Sequence, residues 1–310
     1  MDGPGGSTRS DEARIWVWPD SELLELAVVR GGGSVVPLEQ ANGIICTGDD
    51  IELLRRSLLP DVRWVQLGAA GIETWFDAGL MNSEVVWTAA KGVYARPIAE
   101  HILALILAAA RDLPERARTD GWGDQGGRLV TGATVGIVGA GGIGTELIAL
   151  LAPFDAREIA LTRDGRLVPG AAVSVGPTGL PLLLEQSDYV VLTAALTTET
   201  EGMISAWELE QMRANAWLIN VARGGLVDTD ALVEALRAGT ICGAALDVTE
   251  PEPLPPGHAL WALRNALITP HVASTPEMGA RFLAERVTEN VRRFAAGRDL
   301  LGVVDQRLGY

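Results

Sequence analysis

Residues 134–144, TVGIVGAGGIG, decide the fold. An apolar run, Val135-Gly136-Ile137-Val138, enters Gly139-Ala140-Gly141-Gly142-Ile143-Gly144, and TELIALL (145–151) follows. The run reads as a buried strand, and the residues after the glycines read as the start of a helix. In that setting each glycine of a G-x-G-x-x-G pattern has a mechanical task. Gly139 makes the tight turn, Gly141 lets the backbone approach a pyrophosphate, and Gly144 lets helix and strand pack closely. The helix start, with Gly142 and Ile143, offers free N–H groups and a dipole that favour an anion. This context favours dinucleotide binding; a tight strand–helix turn without a ligand is the alternative.

Outward toward the N-terminus, apolar runs recur at 15–18 (IWVW, stopped by Pro19), 43–47, 64–67 and 85–88. Helical or turn-rich stretches such as 50–59 separate them, and that alternation indicates βα units and a parallel sheet. A first α/β domain therefore precedes the fingerprint, which would lie near the start of a single Rossmann domain. PIAEHILALILAAAR (97–111) reads as a buried helix, apolar on nearly every face except Glu100 and His101. Pro97 suits its first turn and Arg111 the C-terminal end of its dipole. His101 reads as a structural hydrogen-bonder rather than a catalyst.

Outward toward the C-terminus, strands are expected at 158–161, 189–192, 217–221, 243–248 and 267–268. Ser205-Ala206-Trp207-Glu208 reads as a capping box, and 228–238 as a helix ended by Gly239. A charged amphipathic helix is expected over about 276–297, followed by an apolar tail, 301–304, able to return to the first domain.

Composition narrows the function classes. The 310 residues suffice for two domains; 48% are hydrophobic and 21% charged, as in a globular protein with ample core. A formal charge of −15 argues against nucleic-acid or anionic-membrane partners, so any anionic ligand must be met by local positive groups. Cys46 and Cys242 suggest no metal site and no disulfide framework, and are expected reduced in a cytoplasmic protein. Residues 1–14 lack the apolar core of a secretory signal and are expected to be a disordered tail. The apolar run 102–110 is too short to span a bilayer.

In open parallel sheets, ligands bind outside the carboxyl ends of the strands. Arg223 follows WLINVA, Glu252 lies a few residues past AALDV, and His271 follows ALITP. Reversible hydride transfer at a hydroxy acid needs such a set. The imidazole exchanges the hydroxyl proton, the carboxylate holds the imidazole and favours its protonated form, and the guanidinium grips a substrate carboxylate with two hydrogen bonds. Singly, each has an ordinary alternative: a surface ion pair, a solvated loop acid, a capping residue. Three strand-end coincidences favour the site.

The sequence resembles the D-isomer-specific 2-hydroxyacid dehydrogenases. The motifs are LGAAGIE (67–73), AEH (99–101), TVGIVGAGGIG (134–144), LINVARGGLVD (218–228), ALDVTEPEPLP (245–255) and TPHVAST (269–275). The resemblance implies an α/β fold of two doubly wound domains. Residues 15–96 and 281–310 would form a flavodoxin-like substrate domain, and 97–280 an NAD(P)-binding Rossmann domain. It makes Arg223 the substrate-binding arginine and His271 the acid/base. The family's glutamate, five residues past the aspartate of LDV, falls on Glu252 rather than Glu250. It places cofactor contacts at Gly139, Gly141, Gly142, Ile143, Gly144, Thr162, Arg163, Ala194, Ala195, Thr200, Val221, Ala222 and Ser274. Asp247 resembles the residue that binds the nicotinamide carboxamide. Backbone N–H groups of Ala69, Ala70 and Gly71 would hold the substrate carboxylate, and Tyr94, with Lys91 and Trp75, would line the pocket; core packing is the alternative for those aromatics. A homodimer acting on a small 2-keto acid such as glyoxylate or hydroxypyruvate is the implied assembly and substrate class.

Two departures qualify the resemblance. Where the family usually has a loop close to H-x-P-L-T, this chain has Thr193-Ala194-Ala195-Leu196-Thr197. An NAD site carries an acidic residue at the end of the second Rossmann strand; here stand Thr162 and Arg163, with Arg166 near and Asp164 one place late. Without that carboxylate nothing repels a ribose 2′-phosphate, so NADP is expected to be preferred over NAD. Three rivals share the fold. Formate dehydrogenase places glutamine where Glu252 stands. Many phosphoglycerate dehydrogenases carry an extra C-terminal domain. The NAD(H)-sensing transcriptional corepressors need no turnover.

Overall fold

A computed structural model describes residues 12–81, 84–122, 125–305. It divides into two compact units, one reaching to Tyr94 and resuming at Pro276, the other running Ala95–Thr275. Most of the expected N-terminal tail lies outside the described residues. Its last three residues do not fit that expectation: Ala13 is fully buried, Arg14 opens a strand, and the Asn42 amide donates to the Glu12 carbonyl at 2.9 Å.

The first unit holds β1 (Arg14–Trp18), β2 (Ser34–Val35), β3 (Gly43–Cys46), β4 (Trp64–Leu67) and β5 (Val86–Thr88). All pair in parallel in the order β2-β1-β3-β4-β5, the flavodoxin arrangement. The second unit holds β6 (Thr134–Val138), β7 (Arg157–Leu161), β8 (Val173–Val175), β9 (Tyr189–Leu192), β10 (Trp217–Asn220), β11 (Gly243–Leu246) and β12 (Ala266–Ile268). Its order, β12-β11-β10-β9-β6-β7-β8, is again wholly parallel. Counted from β6 this is the doubly wound order of dinucleotide-binding domains, with the chain reversing direction across the sheet between β6 and β9.

Every residue of β3, β4, β9, β10 and β11 is buried, as strands covered by helices on both faces require. β2 and β8 are not visible as strands in the sequence. They are two and three residues long, sit at sheet edges, and carry no fully buried position that would leave an apolar run.

Helix Ala95–Ala110 begins two residues before Pro97, which leaves the proline in the first turn where no helical N–H is lost. Ala99, Ile102, Leu105, Ile106, Ala109 and Ala110 are its buried stripe, packed with Ile137, Leu147 and Leu151 of the glycine motif's strand and helix. Helix Thr229–Ala238 has the expected ends: the Asp228 carboxylate accepts from the Ala231 N–H at 3.0 Å, and Gly239 takes φ 71°. At Ser205, the Glu208 carboxylate accepts both the Ser205 backbone N–H and its hydroxyl.

In the first unit, helix Pro276–Ala295 packs on helix Glu22–Arg30 and the residues that end it. A Cβ at Gly31 would lie 2.7 Å from the Thr288 carbonyl, so only glycine permits this approach. The tail does return: Ala89 N–H donates to Gly302 O and Val304 N–H to Trp87 O, both at 2.9 Å. Asn290 is fully buried and fastens these parts. Its amide N–H donates to Gln66 Oε1 (2.8 Å) and Leu301 O (2.9 Å), and its carbonyl accepts from Leu301 N–H (2.8 Å). Asn290→Leu keeps the volume but strands those partners, so it should lower unfolding free energy by about 2–4 kcal/mol. Urea denaturation compared with the unmodified chain checks this; a loss under about 0.5 kcal/mol would show the amide network to be dispensable.

Candidate active site

The glycine turn has the expected mechanics. Gly139 takes φ 90°, and a Cβ there would lie 2.5 Å from Ala194 Cα and N. Gly141 precedes helix Gly142–Leu151, and its side-chain face is open, with nothing nearer than Gly139 O at 3.9 Å. A Cβ at Gly144 would press Ile137 Cγ2 at 3.1 Å and Ala140 at 3.2 Å, which is the close helix–strand contact. Because Thr145 N–H is the one that bonds Gly141 O, the N–H groups of Gly142, Ile143 and Gly144 precede the helical ladder.

Thr162 follows β7 directly. It is 5% exposed, and its hydroxyl lacks a hydrogen bond of ordinary geometry. Arg163 and Arg166 are exposed. Arg166 reaches back to the glycine turn, Nη2 to Ala140 O at 3.4 Å, and its Nε lies 3.8 Å from Asp164. The Arg166 backbone N–H, ahead of weaker neighbours, holds the Asp164 carboxyl below its usual range. In the loop after β9, the Thr200 hydroxyl donates to Ala195 O at 2.7 Å and accepts from Thr197 N–H at 2.8 Å. Thr200, expected at the cofactor, is engaged inside its own loop. The missing family proline is thus replaced by a threonine staple.

Arg223 lies at the carboxyl end of β10, part-buried, with Nη1 on Ala222 O at 2.7 Å. Val221 and Ala222 are 7% and 9% exposed, and Asn220 folds the turn around them. Its amide donates to Arg223 O (2.8 Å) and accepts from Ala222 N–H (3.0 Å). Gly224 lies flat on the Thr249–Glu250 backbone with no room for a Cβ, and Thr229 Oγ1 donates to Glu250 O at 2.8 Å. The arginine turn and the glutamate turn are therefore pressed together by a glycine. That glycine is visible in the sequence, but its partner is not.

Glu252 and His271 meet: Oε1 to Nδ1 is 2.6 Å, with side chains 41% and 53% exposed. Glu250 gives its carbonyl to Thr229, and the carboxylate that meets His271 is that of Glu252. His271 takes φ 53°, a left-handed conformation costing about 1 kcal/mol for a non-glycine residue. Its N–H is fixed by Asp247 O (2.8 Å) and Thr269 O (3.0 Å). The Asp247 side chain holds the rest. Its Oδ1 accepts from Thr269 Oγ1 (2.5 Å) and Val272 N–H (2.9 Å), and Oδ2 accepts from Ala273 N–H (2.9 Å). His101 Nε2 lies 3.4 Å from Oδ1 and 3.2 Å from Thr269 Oγ1, the structural role read for it. Asp247 was expected at a nicotinamide carboxamide. The residue is 1% exposed, and its carboxylate oxygens shape the His271 loop. The nearby Ser274 Oγ is buried with no partner.

In the first unit, the 68–71 loop follows β4. Ala90 N–H donates to Ala69 O at 2.8 Å, and the Tyr94 hydroxyl donates to Gly68 O. Burial pushes the Tyr94 phenol up to about 12. Tyr94, read as a pocket residue, thus spends its hydroxyl propping the loop that carries Ala69, Ala70 and Gly71. Trp75 packs partly buried among Leu80, Trp87 and other apolar residues, which is the core alternative.

The residues present fit a dinucleotide. The turn at Gly139 leaves open space at Gly141, and the hydroxyl of Ser274, an expected contact position, is buried without a hydrogen-bond partner. Among the described residues no helix is long and apolar enough to cross a membrane.

A profile of the D-isomer specific 2-hydroxyacid dehydrogenase NAD-binding domain matches residues 103–273. The chain belongs to that family. It is 38% identical over 298 residues to an uncharacterised protein of Corynebacterium melassecola, covering 92% of this chain and 95% of the relative. It is 34% identical over 261 residues to the glyoxylate reductase of Aeropyrum pernix, 80% of this chain and 77% of that one. The D-isomer specific 2-hydroxyacid dehydrogenase of Xanthobacter autotrophicus, solved with NADPH and MES, superposes with TM-score 0.83 at 31% identity, covering 96% of this chain and 99% of that chain.

Burial pushes the Asp247 carboxyl up, but the hydrogen bonds from His101, Thr269, Val272 and Ala273 outweigh it and bring it from 3.8 to about 2. A depressed carboxyl stabilises the fold above its unfolded value and loses that contribution as pH falls through its folded value. The shift corresponds to about 2 kcal/mol, complete above about pH 5. Asp247→Asn should therefore destabilise the chain at pH 6, with the gap to the unmodified protein shrinking by about 1 kcal/mol at pH 3. Denaturation at both pH values checks this; a gap independent of pH would mean the charge is not what the loop holds.

Proposed function

We propose that this chain is an NADPH-preferring reductase that converts a small 2-keto acid into the D-2-hydroxy acid. The 2.6 Å pair of Glu252 and His271, at the carboxyl ends of β11 and β12, carries the reading. Both loops sit where an open parallel sheet binds ligands, and Arg223 stands at the end of the neighbouring β10. The nicotinamide, when bound, supplies the hydride. The Arg223 guanidinium grips the keto-acid carboxylate and stabilises charge growing on the carbonyl oxygen. His271 delivers its proton to that oxygen. Glu252 accepts a hydrogen bond from Nδ1–H, so the imidazole keeps the tautomer and orientation that leave Nε2 for the substrate. Backbone N–H groups of Ala69, Ala70 and Gly71 hold the substrate carboxylate in the first unit.

The cofactor preference rests on residues 162–166. The carboxylate of that stretch, Asp164, is turned toward Arg166. The Thr162 hydroxyl and the Arg163 and Arg166 guanidiniums suit a 2′-phosphate. Glyoxylate and hydroxypyruvate are the proposed substrates, in line with the glyoxylate reductase relative and the short side chains at 69–71. A cytoplasmic homodimer completes the proposal, the dimer to be read by light scattering.

Assays of a 2-keto-acid panel with both reduced nicotinamides test the whole reading. Turnover with NADPH at the higher kcat/KM is expected; no turnover of any keto acid would favour an NAD(H)-sensing role. His271→Ala should lower kcat by about 100-fold or more. Arg223→Ala should lower kcat and raise the keto-acid KM together. Glu252→Gln should reduce kcat while leaving NADPH affinity unchanged; full activity would make the pair incidental. Arg163→Ala should raise the KM for NADPH by about 10-fold and leave that for NADH nearly unchanged. Higher kcat/KM with NADH in the unmodified chain would instead make Asp164 the ribose ligand.

A further inference from the structure

The 68–71 loop is braced from a distance. Both of its fixing donors, Ala90 N–H on Ala69 O at 2.8 Å and the Tyr94 hydroxyl on Gly68 O, come from one segment after β5. That segment has no helix or strand to hold it until Ala95. It is gripped from helix Pro276–Ala295 by Arg286, whose Nη1 donates to Ala89 O at 3.5 Å and Nη2 to Lys91 O at 3.0 Å. The fork thus straddles Ala90, the residue that holds Ala69. The C-terminal tail closes the other side. Ala89 N–H donates to Gly302 O, and a Cβ at Gly302 would lie 2.5 Å from Ala89 O and 2.8 Å from Arg286 Nη1. The guanidinium is part-buried, and burial draws its pKa below the usual arginine value. An ordinary helix-surface arginine keeps its head in water; this one sits against backbone carbonyls instead.

We propose that Arg286 is a positioning residue for substrate binding: by forking across the Ala89 and Lys91 carbonyls it sets Ala90, and through Ala90 it sets the N–H groups of Ala69–Gly71 that receive the keto-acid carboxylate. The inference rests on the proposed function of that loop. Lysine cannot reproduce it, since an ammonium has no planar fork to span two carbonyls two residues apart. The carboxylate is bound alike in ground and transition states, so a misplaced loop weakens binding more than it slows chemistry.

The test uses the full chain, the keto acid it turns over best, and oxalate as a non-reacting carboxylate probe. In Arg286→Met and Arg286→Lys the keto-acid KM and the oxalate Ki should rise together, by about 10-fold or more for methionine. The fall in kcat should be smaller than the rise in KM, and NADPH affinity, followed by cofactor fluorescence, should not change. A lowered kcat with unchanged KM and Ki is a plain loss of folded enzyme and overturns the proposal. If the methionine variant does not fold, lysine, which keeps stem and charge, decides alone: unchanged KM and Ki there overturn it. If the unmodified chain turns over no keto acid yet binds oxalate in an Arg286-dependent way, the reductase reading falls and the brace stands. If it binds no oxalate, the loop is not a carboxylate site and both fall.

Discussion

The Asp247 carboxylate is the constraint on which the chemical end of the second sheet depends. It lies past β11 and binds the Thr269 hydroxyl and the N–H groups of Val272 and Ala273, all beyond β12. One side chain therefore replaces the hydrogen bonding that two adjacent strands lose when their ladder ends. Its own backbone carbonyl takes the His271 N–H, which holds a histidine in a conformation few side chains adopt. The imidazole stands half exposed while its backbone is fixed from beneath, so a mobile-looking surface residue has a rigid base. A reacting group needs that combination, since it must meet both solvent and substrate without wandering.

The loops at the ends of β10 and β11 are joined without charged side chains, and this decides which substitutions that seam tolerates. Gly224 abuts Thr249 and Glu250, Thr229 binds Glu250 O, and Asn220 ties Ala222 and Arg223. The contacting groups are a glycine, a hydroxyl, an amide and backbone, none of them charged. Arg223, Glu252 and His271 project from the loops, and the glutamate–histidine pair links those after β11 and β12. Between β10 and β11 position is thereby separated from chemistry, whereas between β11 and β12 a carboxylate, Asp247, holds the scaffold. A chain of net charge −15 has further reason for this arrangement, because its long-range field repels anionic ligands. On the proposed function, the attraction comes from short-range groups: the helix start at Gly142, the two arginines after β7, and Arg223.

Much of this was legible in the sequence because it follows from spacing along one segment. The buried strands declare themselves as apolar runs, and the glycine motif, the Asp228 cap and the Gly239 stop are local devices whose residue types state their geometry. The strand-end positions of Arg223, Glu252 and His271 follow from the runs that precede them. What was not legible depends on partners far away. β2 and β8 are too short and too exposed at the edge to leave a pattern. The bonds of Asp247 to Thr269, Val272 and Ala273 join segments on two strands, that of the Tyr94 hydroxyl to Gly68 spans 26 residues, and that of Thr200 to Ala195 needs the loop closed first.

Asn290 and Arg286 show the same limit most sharply, since both look like ordinary polar residues of a charged amphipathic helix. They lie four apart, hence on one face, and that face meets the first sheet rather than water. Asn290 is uncharged, so it enters fully, with every amide function matched to Gln66 and Leu301. Arg286 carries a charge that cannot be neutralised by losing a proton at any ordinary pH, so it stops part-way, where carbonyls satisfy its donors and solvent still reaches it. Burial depth on this face is therefore graded by desolvation cost. The helix that brings the chain back to its first unit does so with polar groups at these two positions, and such groups fix direction as well as distance. Apolar packing alone permits a helix to slide by a fraction of a turn; two hydrogen bonds between the Asn290 amide and Leu301 and a fork on residues 89 and 91 do not.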